Sequence, residues 1–378
     1  MMDSSEVRKK FLEFFRSRGH AVVPSSSLIP DDPSVLLTTA GMQQFKKYFT
    51  GELDPVRDFG SKNTASAQKS FRTSDIDEVG DESHLTFFEM LGNFSFGGYF
   101  KEDAIKYAHE FITSDLRLPI DYVSVFQGDK DVPADEDSGK IWRSIGIHDV
   151  RKFGREDNFW GPTGKEGPCG PTTEIYVKNA AGKSVEIWNL VFNEYYRHVD
   201  GKLEKLKVPG VDTGMGLERL TMVAQNKQTI FETDLFTALL TPGLSKIADE
   251  KTKRIMLDHG RAVTFLVADG VRPSNKERGY ILRRLIRRMM AHFQRALQNS
   301  FASGDMPDTD FADIERILAA TVRHYRPFYS ELNEETAINV FREESLKFKA
   351  AMRNGLRELK RIASVDAQSA FRVYESYG

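Results

Sequence analysis

The chain has 378 residues, with 53 Lys and Arg against 55 Asp and Glu, a formal net charge of -2, and a hydrophobic fraction of 40% that includes 27 Phe. This length accommodates two domains with sizeable cores, and the balanced charge excludes a globally basic nucleic-acid binder, so any such interface is a local patch. The single cysteine, Cys169, excludes an internal disulfide framework and a multi-cysteine zinc site; no apolar run reaches membrane-spanning length, and residues 1–20 are charged, so a cytoplasmic protein without membrane association is expected.

In chain order, Asp3 and Glu6 form a capping pair for a helix over 3–18. Val7, Phe11, Phe14 and Phe15 keep helical spacing there, and Gly19 is its stop. Residues 20–65 read as short strands and loops around a helix near 42–49. Strands at 69–73 and 85–91 flank an acidic loop, 74–83. An amphipathic helix is predicted over 101–113, then strands at 121–127, 173–178 and 185–192 and a turn at Asp200-Gly201. From about 245 the patterns become long and helical. The expectation is an α+β domain over 1–240 followed by an all-helical domain over 241–378, divided near Thr241-Pro242-Gly243.

Val211-Asp-Thr-Gly-Met-Gly-Leu-Glu-Arg-Leu220 is the densest chemical signal. Glycines let backbone approach a flat or phosphorylated ligand, Arg219 is a permanent planar cation suited to phosphate, and Asp212 can hold an ammonium group. Acid and cation together suggest an enzyme that joins a nucleotide to an amino acid. Upstream, Arg72 ends one strand of the predicted hairpin, Phe87 and Phe88 lie on the return strand, and Phe94 follows it. Arg72 is equally a phosphate clamp or a plain strand-end cation; the phenylalanines read first as core. Asn189 interrupts the apolar strand Glu186-Ile-Trp-Asn-Leu-Val-Phe192, as structural glue or as a substrate ligand. Gly161-Pro-Thr-Gly-Lys165 is no phosphate-binding loop, because Glu166 replaces the required Ser or Thr; segment 161–171 reads as a rigid turn beside Trp160, with Cys169 a small buried residue.

Within 278–295 lie Arg278, Arg283, Arg284, Arg287, Arg288 and Arg295, with no acid. A helical wheel puts Leu282, Leu285, Ile286, Met289 and Phe293 on one side and the arginines from Arg283 on the other. A solvated face normally mixes signs, so a wholly cationic face suits a phosphate backbone. The turn Asp269-Gly-Val-Arg-Pro-Ser-Asn275 places Asn275, with both a donor and an acceptor, at the edge of this patch.

Taken together, these segments resemble the alanyl-tRNA synthetases. The blocks are Ala40-Gly-Met42, Thr86-Phe-Phe-Glu-Met-Leu-Gly-Asn93, Asp157-Asn-Phe-Trp160, Gly167-Pro-Cys-Gly-Pro171, Glu186 to Phe192, Val211 to Arg219 and Arg278-Gly-Tyr-Ile-Leu-Arg-Arg284. The resemblance implies a class II synthetase fold, an antiparallel sheet flanked by helices, followed by a helical tRNA-recognition domain. It implies activation of L-alanine by ATP and transfer to tRNA(Ala). In that reading Arg72 contacts the α-phosphate and Arg219 the γ-phosphate, with His84 a further ATP contact. Met42, Trp160, Ile187, Trp188 and Gly216 line the adenylate pocket. Asp212 holds the ammonium and Asn189 sits beside the substrate carboxylate. Asn275 with Arg283, Arg284, Arg287 and Arg288 meets the acceptor stem. ATP and Mg²⁺ are the expected cofactors, with Glu174 and Glu186 as candidate Mg²⁺ ligands, and no zinc is expected.

Two departures stand out. Thr73-Ser74-Asp75 follows Arg72 where many relatives carry Gly-Gly-Lys-His, and His84-Leu85 replaces a His-His pair. The end, Phe371-Arg-Val-Tyr-Glu-Ser-Tyr-Gly378, resembles a segment that continues into further domains. The expectation is a monomeric catalytic fragment without the editing and C-terminal domains. The rival reading, a catalytically silent RNA-binding module, gives no reason to retain Arg72, Asp212 and Arg219 together.

Overall fold

The computed structural model describes residues 2–32, 35–162, 164–297, 311–362, 366–368 and 370–371; residues 372–378 of the terminal block lie outside them. The chain divides into two compact units. The first comprises Met1–Arg72 and Phe87–Thr237, and the second Thr73–Thr86 and Ala238–Gly378. The 73–86 segment groups with the helical unit, which the sequence pattern does not announce.

The first unit is built on a mixed, largely antiparallel sheet. Its strands are β1 (Ala21–Val22), β2 (Asn63–Phe71), β3 (Phe87–Ser95), β4 (Tyr122–Phe126), β5 (Val150–Phe153), β6 (Phe159–Trp160), β7 (Gly167–Lys178), β8 (Ser184–Arg197) and β9 (Leu203–Gly216). The spatial order is β1-β2-β3-β9-β8-β7-β4-β5, with β6 pairing β7 off this path. Only β1–β2 and β4–β5 pair in parallel. The stretch 161–171 is only partly a turn, because β7 begins at Gly167. A bulge between Cys169 and Thr172 takes in Pro171, whereas Pro168 pairs in register with Tyr196, and a Cβ on Gly170 would lie 1.8 Å from the Phe192 carbonyl oxygen.

One face of the sheet is closed by helices. Helix α1 (Ser4–Arg16) starts on the expected capping box: Asp3 Oδ1 accepts from Glu6 N at 2.8 Å, and Glu6 Oε2 accepts from Asp3 N at 3.1 Å. Helix α2 (Lys101–Glu110) runs into a π-helical turn, Phe111–Asp115. Trp188 is buried among Phe11, Phe15 and Phe111, at ring-centroid distances of 5.8, 6.4 and 5.9 Å. Its side chain therefore belongs to the helix-covered core, and the expected pocket role is corrected on that ground. Strand alternation sends Trp188 to the face opposite Asn189.

A buried ion pair ties α1 to the sheet. Arg8 Nε and Nη2 donate to the two Glu89 oxygens at 2.9 and 2.6 Å, and Glu218 of α3 (Leu217–Ala224) accepts from Glu89 N. Both side chains of the Arg8–Glu89 pair are almost fully shielded from water.

The second unit packs α4 (Glu250–Ala268), α5 (Glu277–Leu297), α6 (Ala312–Tyr325) and α7 (Glu334–Arg361). The apolar side of α5, Leu282, Leu285, Ile286, Met289 and Phe293, is buried as the wheel requires. Gly260 admits Ile317 so closely that a Cβ there would lie 2.5 Å from Ile317 Cγ2. No helix among the described residues is long and apolar enough to cross a membrane.

Leaving one member of a shielded ion pair alone is far more costly than losing an exposed pair. Glu89→Ala is expected to lower the unfolding free energy by about 3–5 kcal/mol in urea denaturation. A loss below about 1 kcal/mol, the range of an exposed pair, would contradict the burial assigned to it.

Candidate functional site

The open face of the sheet carries the chemistry. Register places Glu174, Asn189 and Gly214 side by side across β7, β8 and β9, and Val191, Asp212 and Phe94 side by side across β8, β9 and β3. Residues two apart on a strand share a face, so all six point the same way, while Ile187, buried, is the unpaired residue of the bulge opposite Ile175 and Tyr176. Asp212 is diagonal to Asn189, at a separation of roughly 7–8 Å for such positions.

Asp212 is 6% exposed, and among the described residues no donor or cation bonds its carboxylate. Burial alone pushes it up to about 7.

Asn189 is oriented rather than free. Its Nδ2 donates to Glu174 Oε1 at 3.0 Å. Glu174 Oε2 accepts from Tyr176 OH at 2.7 Å and Ser124 Oγ at 3.2 Å, and Asn158 Nδ2 donates to Ser124 Oγ at 2.8 Å. Glu174 is raised to about 7, first by burial and then by the charge of Glu186. Sequence reading gave Glu174 only a metal role and passed over Tyr176, Ser124 and Asn158. Their convergence depends on pairing between β4, β6 and β7, which no local pattern announces.

Two cations belong to the same unit. Arg72 follows β2 directly and lies over the Phe88 ring, its Cζ 5.0 Å from the centroid. Phe88 is the partly buried member of the three phenylalanines; Phe87 and Phe94 are core. Arg219, on α3, donates through Nη1 to Glu186 Oε2 at 2.5 Å and to the Glu186 carbonyl at 3.2 Å. The Arg219 and Glu186 side chains are 34% and 28% exposed.

The walls are apolar. Met42 lies on a 3-10 turn (Gly41–Phe45) and clusters with Met90 and Phe94, and the partly buried Trp160 packs on that cluster. Trp160 Nε1 is buried without a partner among the described residues. Two of the three glycines of β9 differ in purpose. A Cβ at Gly216 would meet nothing within 4 Å, which leaves open space at the strand end, whereas at Gly214 it would meet Met90 Sδ at 3.0 Å.

The second unit holds the remaining expected residues. His84 bonds Asp81 through Nδ1 at 2.5 Å. Asn275 Oδ1 accepts from Arg283 Nη1. Arg272 donates to the carbonyls of Val267 and Val271, and so ends α4. The α5 arginines are not wholly unopposed: Arg283 and Arg287 pair with Glu344, and Arg284 and Arg288 with Asp77. The acids come from α7 and from the 73–86 segment, beyond the reach of a helical wheel.

The raised Asp212 has a thermodynamic signature. Between the ordinary 3.8 and about 7 the folded chain keeps a proton at Asp212 that the unfolded chain has released. Stability contributed by this group is therefore present at low pH and lost as pH rises through that window. In ligand-free thermal melts, Asp212→Asn is expected to be the more stable protein near pH 8, by up to about 4 kcal/mol, with the gap closing towards about pH 4. A parent protein more stable than the variant near pH 8 would contradict an unpaired buried charge.

Comparison with known proteins fits this geometry. The family model for class II (A) tRNA synthetases matches residues 6–378. The alanine–tRNA ligase of Rubrobacter xylanophilus is 40% identical over 420 residues, covering 100% of this chain and 46% of that protein. The alanine–tRNA ligase of Borrelia hermsii is 41% identical over 419 residues, covering 100% and 68%. A solved structure of the RNA binding domain of threonyl-tRNA synthetase from Cryptosporidium parvum Iowa II aligns at TM-score 0.40 and 13% identity, over 59% of this chain and 64% of that one. The chain thus spans about half of the first relative's length and about two thirds of the second's. Matched along its whole length at about 40% identity, with the antiparallel sheet and the helical part in sequence, the chain belongs to the alanyl-tRNA synthetase family of class II tRNA synthetases.

Proposed function

We propose that this chain activates L-alanine with ATP and transfers the alanyl group to the 3′ end of tRNA(Ala). The observation that carries the proposal is Asp212, an unpartnered carboxylate on the open sheet face, pushed up to about 7 by burial. An ammonium group supplies the missing counter-ion. Asn189 spends one Nδ2 hydrogen on Glu174 and has a second for the substrate carboxylate. In this reading Met42, Trp160, Ile187 and Gly216 line the adenylate pocket. Arg72 takes the α-phosphate of ATP and Arg219 the γ-phosphate, with Phe88 beneath Arg72.

Glu174 and Glu186 suit the Mg²⁺ that accompanies ATP. The charge of Glu186 adds to burial in raising Glu174, and a divalent cation relieves that repulsion. Bound there, Mg²⁺ neutralises phosphate charge. The reaction itself needs no side-chain nucleophile. An alanine carboxylate oxygen attacks the α-phosphorus as the bond to pyrophosphate breaks. A terminal ribose hydroxyl then attacks the alanyl carbonyl, and AMP leaves. The protein's part is alignment and charge neutralisation. Asn275 and the arginine-bearing face of α5 lie against the acceptor stem, not every arginine contacting it directly.

Alanine-dependent ATP–pyrophosphate exchange tests the first step. Asp212→Asn is expected to raise the KM for alanine by roughly 100-fold, the cost of removing one partner of a buried charge pair. No alanine-dependent exchange by the parent chain would sink the activation reading. Serine and glycine differ from alanine by one hydroxyl or one methyl, which a small pocket separates by only about 10–200-fold. Both should therefore support exchange at high concentration, and complete refusal of serine would contradict a pocket that selects by size and Asp212 alone.

A further inference from the structure

The four central arginines of α5 fall into two unlike pairs. Arg287 donates through Nε to Glu344 Oε1 at 2.8 Å, Arg283 Nε lies 3.3 Å from the same oxygen as an ion pair without a hydrogen bond, and the Glu344 side chain is 0% exposed. Arg287 also lies over the Phe348 ring, 5.9 Å from its centroid. Pulling a cation away from a buried carboxylate leaves that charge uncompensated, so these guanidiniums are fixed as structure. Arg284 and Arg288 converge instead on Asp77 Oδ1, at 2.7 and 3.2 Å, and Asp77 is 66% exposed. The Arg284–Asp77 contact, with side chains 37% and 66% exposed, is worth little in water and yields to a stronger anion; Arg288 is 18% exposed and also donates through Nη2 to the Val79 carbonyl at 3.3 Å, so it stays in place when Asp77 leaves.

Two guanidiniums one helical turn apart, aimed at a single exposed oxygen, have the geometry that grips a phosphate. Asp77 can leave without undoing its segment. Ile76 and Val79 are fully buried, Thr86 N and Oγ1 donate to Asp258 at 2.9 and 2.6 Å, and Arg254 donates to the Gly80 carbonyl. Tyr280, four residues before Arg284 and so on the same helix face, is 50% exposed. A flat ring beside a double-arginine site suits a phosphate that carries a nucleoside, which favours RNA over free phosphate.

We propose that Arg284 and Arg288 form an RNA-phosphate site that Asp77 holds closed until RNA displaces it, while Arg283 and Arg287 take no phosphate. This rests on the tRNA-charging reading and says which half of the cationic face meets the nucleic acid backbone.

The test is anisotropy titration of the full 378-residue chain with a labelled RNA hairpin that has a paired stem and a single-stranded 3′ end, over a range of salt. Arg284→Gln and Arg288→Gln should each weaken binding several-fold and lower the salt slope by about one. Asp77→Asn should tighten binding by about 3–10-fold, because a competing counter-ion is removed. Arg283→Gln and Arg287→Gln should keep the parental salt slope and instead lower the melting temperature. Equal slope losses at all four arginines would overturn the partition, and so would unchanged or weaker binding by an Asp77→Asn protein that melts normally. If that variant does not fold, the four arginine slopes decide alone. Inorganic phosphate that displaces the hairpin where chloride of equal ionic strength does not would assign the site to free phosphate and overturn the RNA occupant. Failure of the parent chain to bind the hairpin overturns the proposal together with the tRNA half of the wider reading, whereas alanine-dependent exchange measured on the same preparation reports the activation half separately.

Discussion

A carboxylate shut away from water with no cation beside it is costly, and the open face of this sheet is arranged around one. Asp212 sits in the middle of β9, flanked by Val191 and Phe94 on the neighbouring strands. Neither offers a charge, so the field of Asp212 is left for a ligand. Everything else on that face follows from the same alternation. Glu174 orients Asn189, the open position at Gly216 leaves space, and Met42 with Trp160 belongs to one apolar cluster. The penalty on stability and the capacity to bind an ammonium are two consequences of one placement.

The segment that carries Asp212 was legible because its residue types are unusual together: acid, paired glycines and arginine within a few positions. Amphipathic stretches were legible too, and α1 with its capping box and the buried side of α5 follow the expected periodicity. What depended on register was not. Trp188 and Asn189 are adjacent in the same apolar run, yet one enters the helix-covered core and the other the open face. Nothing in the run says which parity points where; that is fixed by pairing to β7 and β9. The proline-rich start of β7 misled for a local reason, since a bulge lets Pro171 sit where an unbroken ladder would reject it.

Electrostatic partners were the least legible feature. The cationic stripe of α5 looked unopposed because a helical wheel sees only its own helix. Glu344 arrives from α7 and Asp77 from a segment some two hundred residues upstream. Their different burial makes them different in kind: one is a fixed internal counter-ion, the other a surface contact with little holding energy. A row of identical side chains is thereby divided into structural and available cations.

The account stands on Asp212 being the counter-ion of the substrate ammonium, and proton linkage reads that directly. A carboxyl raised to about 7 is largely protonated at slightly acidic pH and must ionise to pair with an ammonium. Calorimetric titration of a non-hydrolysable alanyl-adenylate analogue, at about pH 6.5 in buffers of different ionisation enthalpy, should show release of roughly three quarters of a proton per site. That release should disappear in Asp212→Asn together with most of the affinity. Equal affinity and equal proton release in parent and variant would contradict the assignment and move amino-group recognition elsewhere on the sheet.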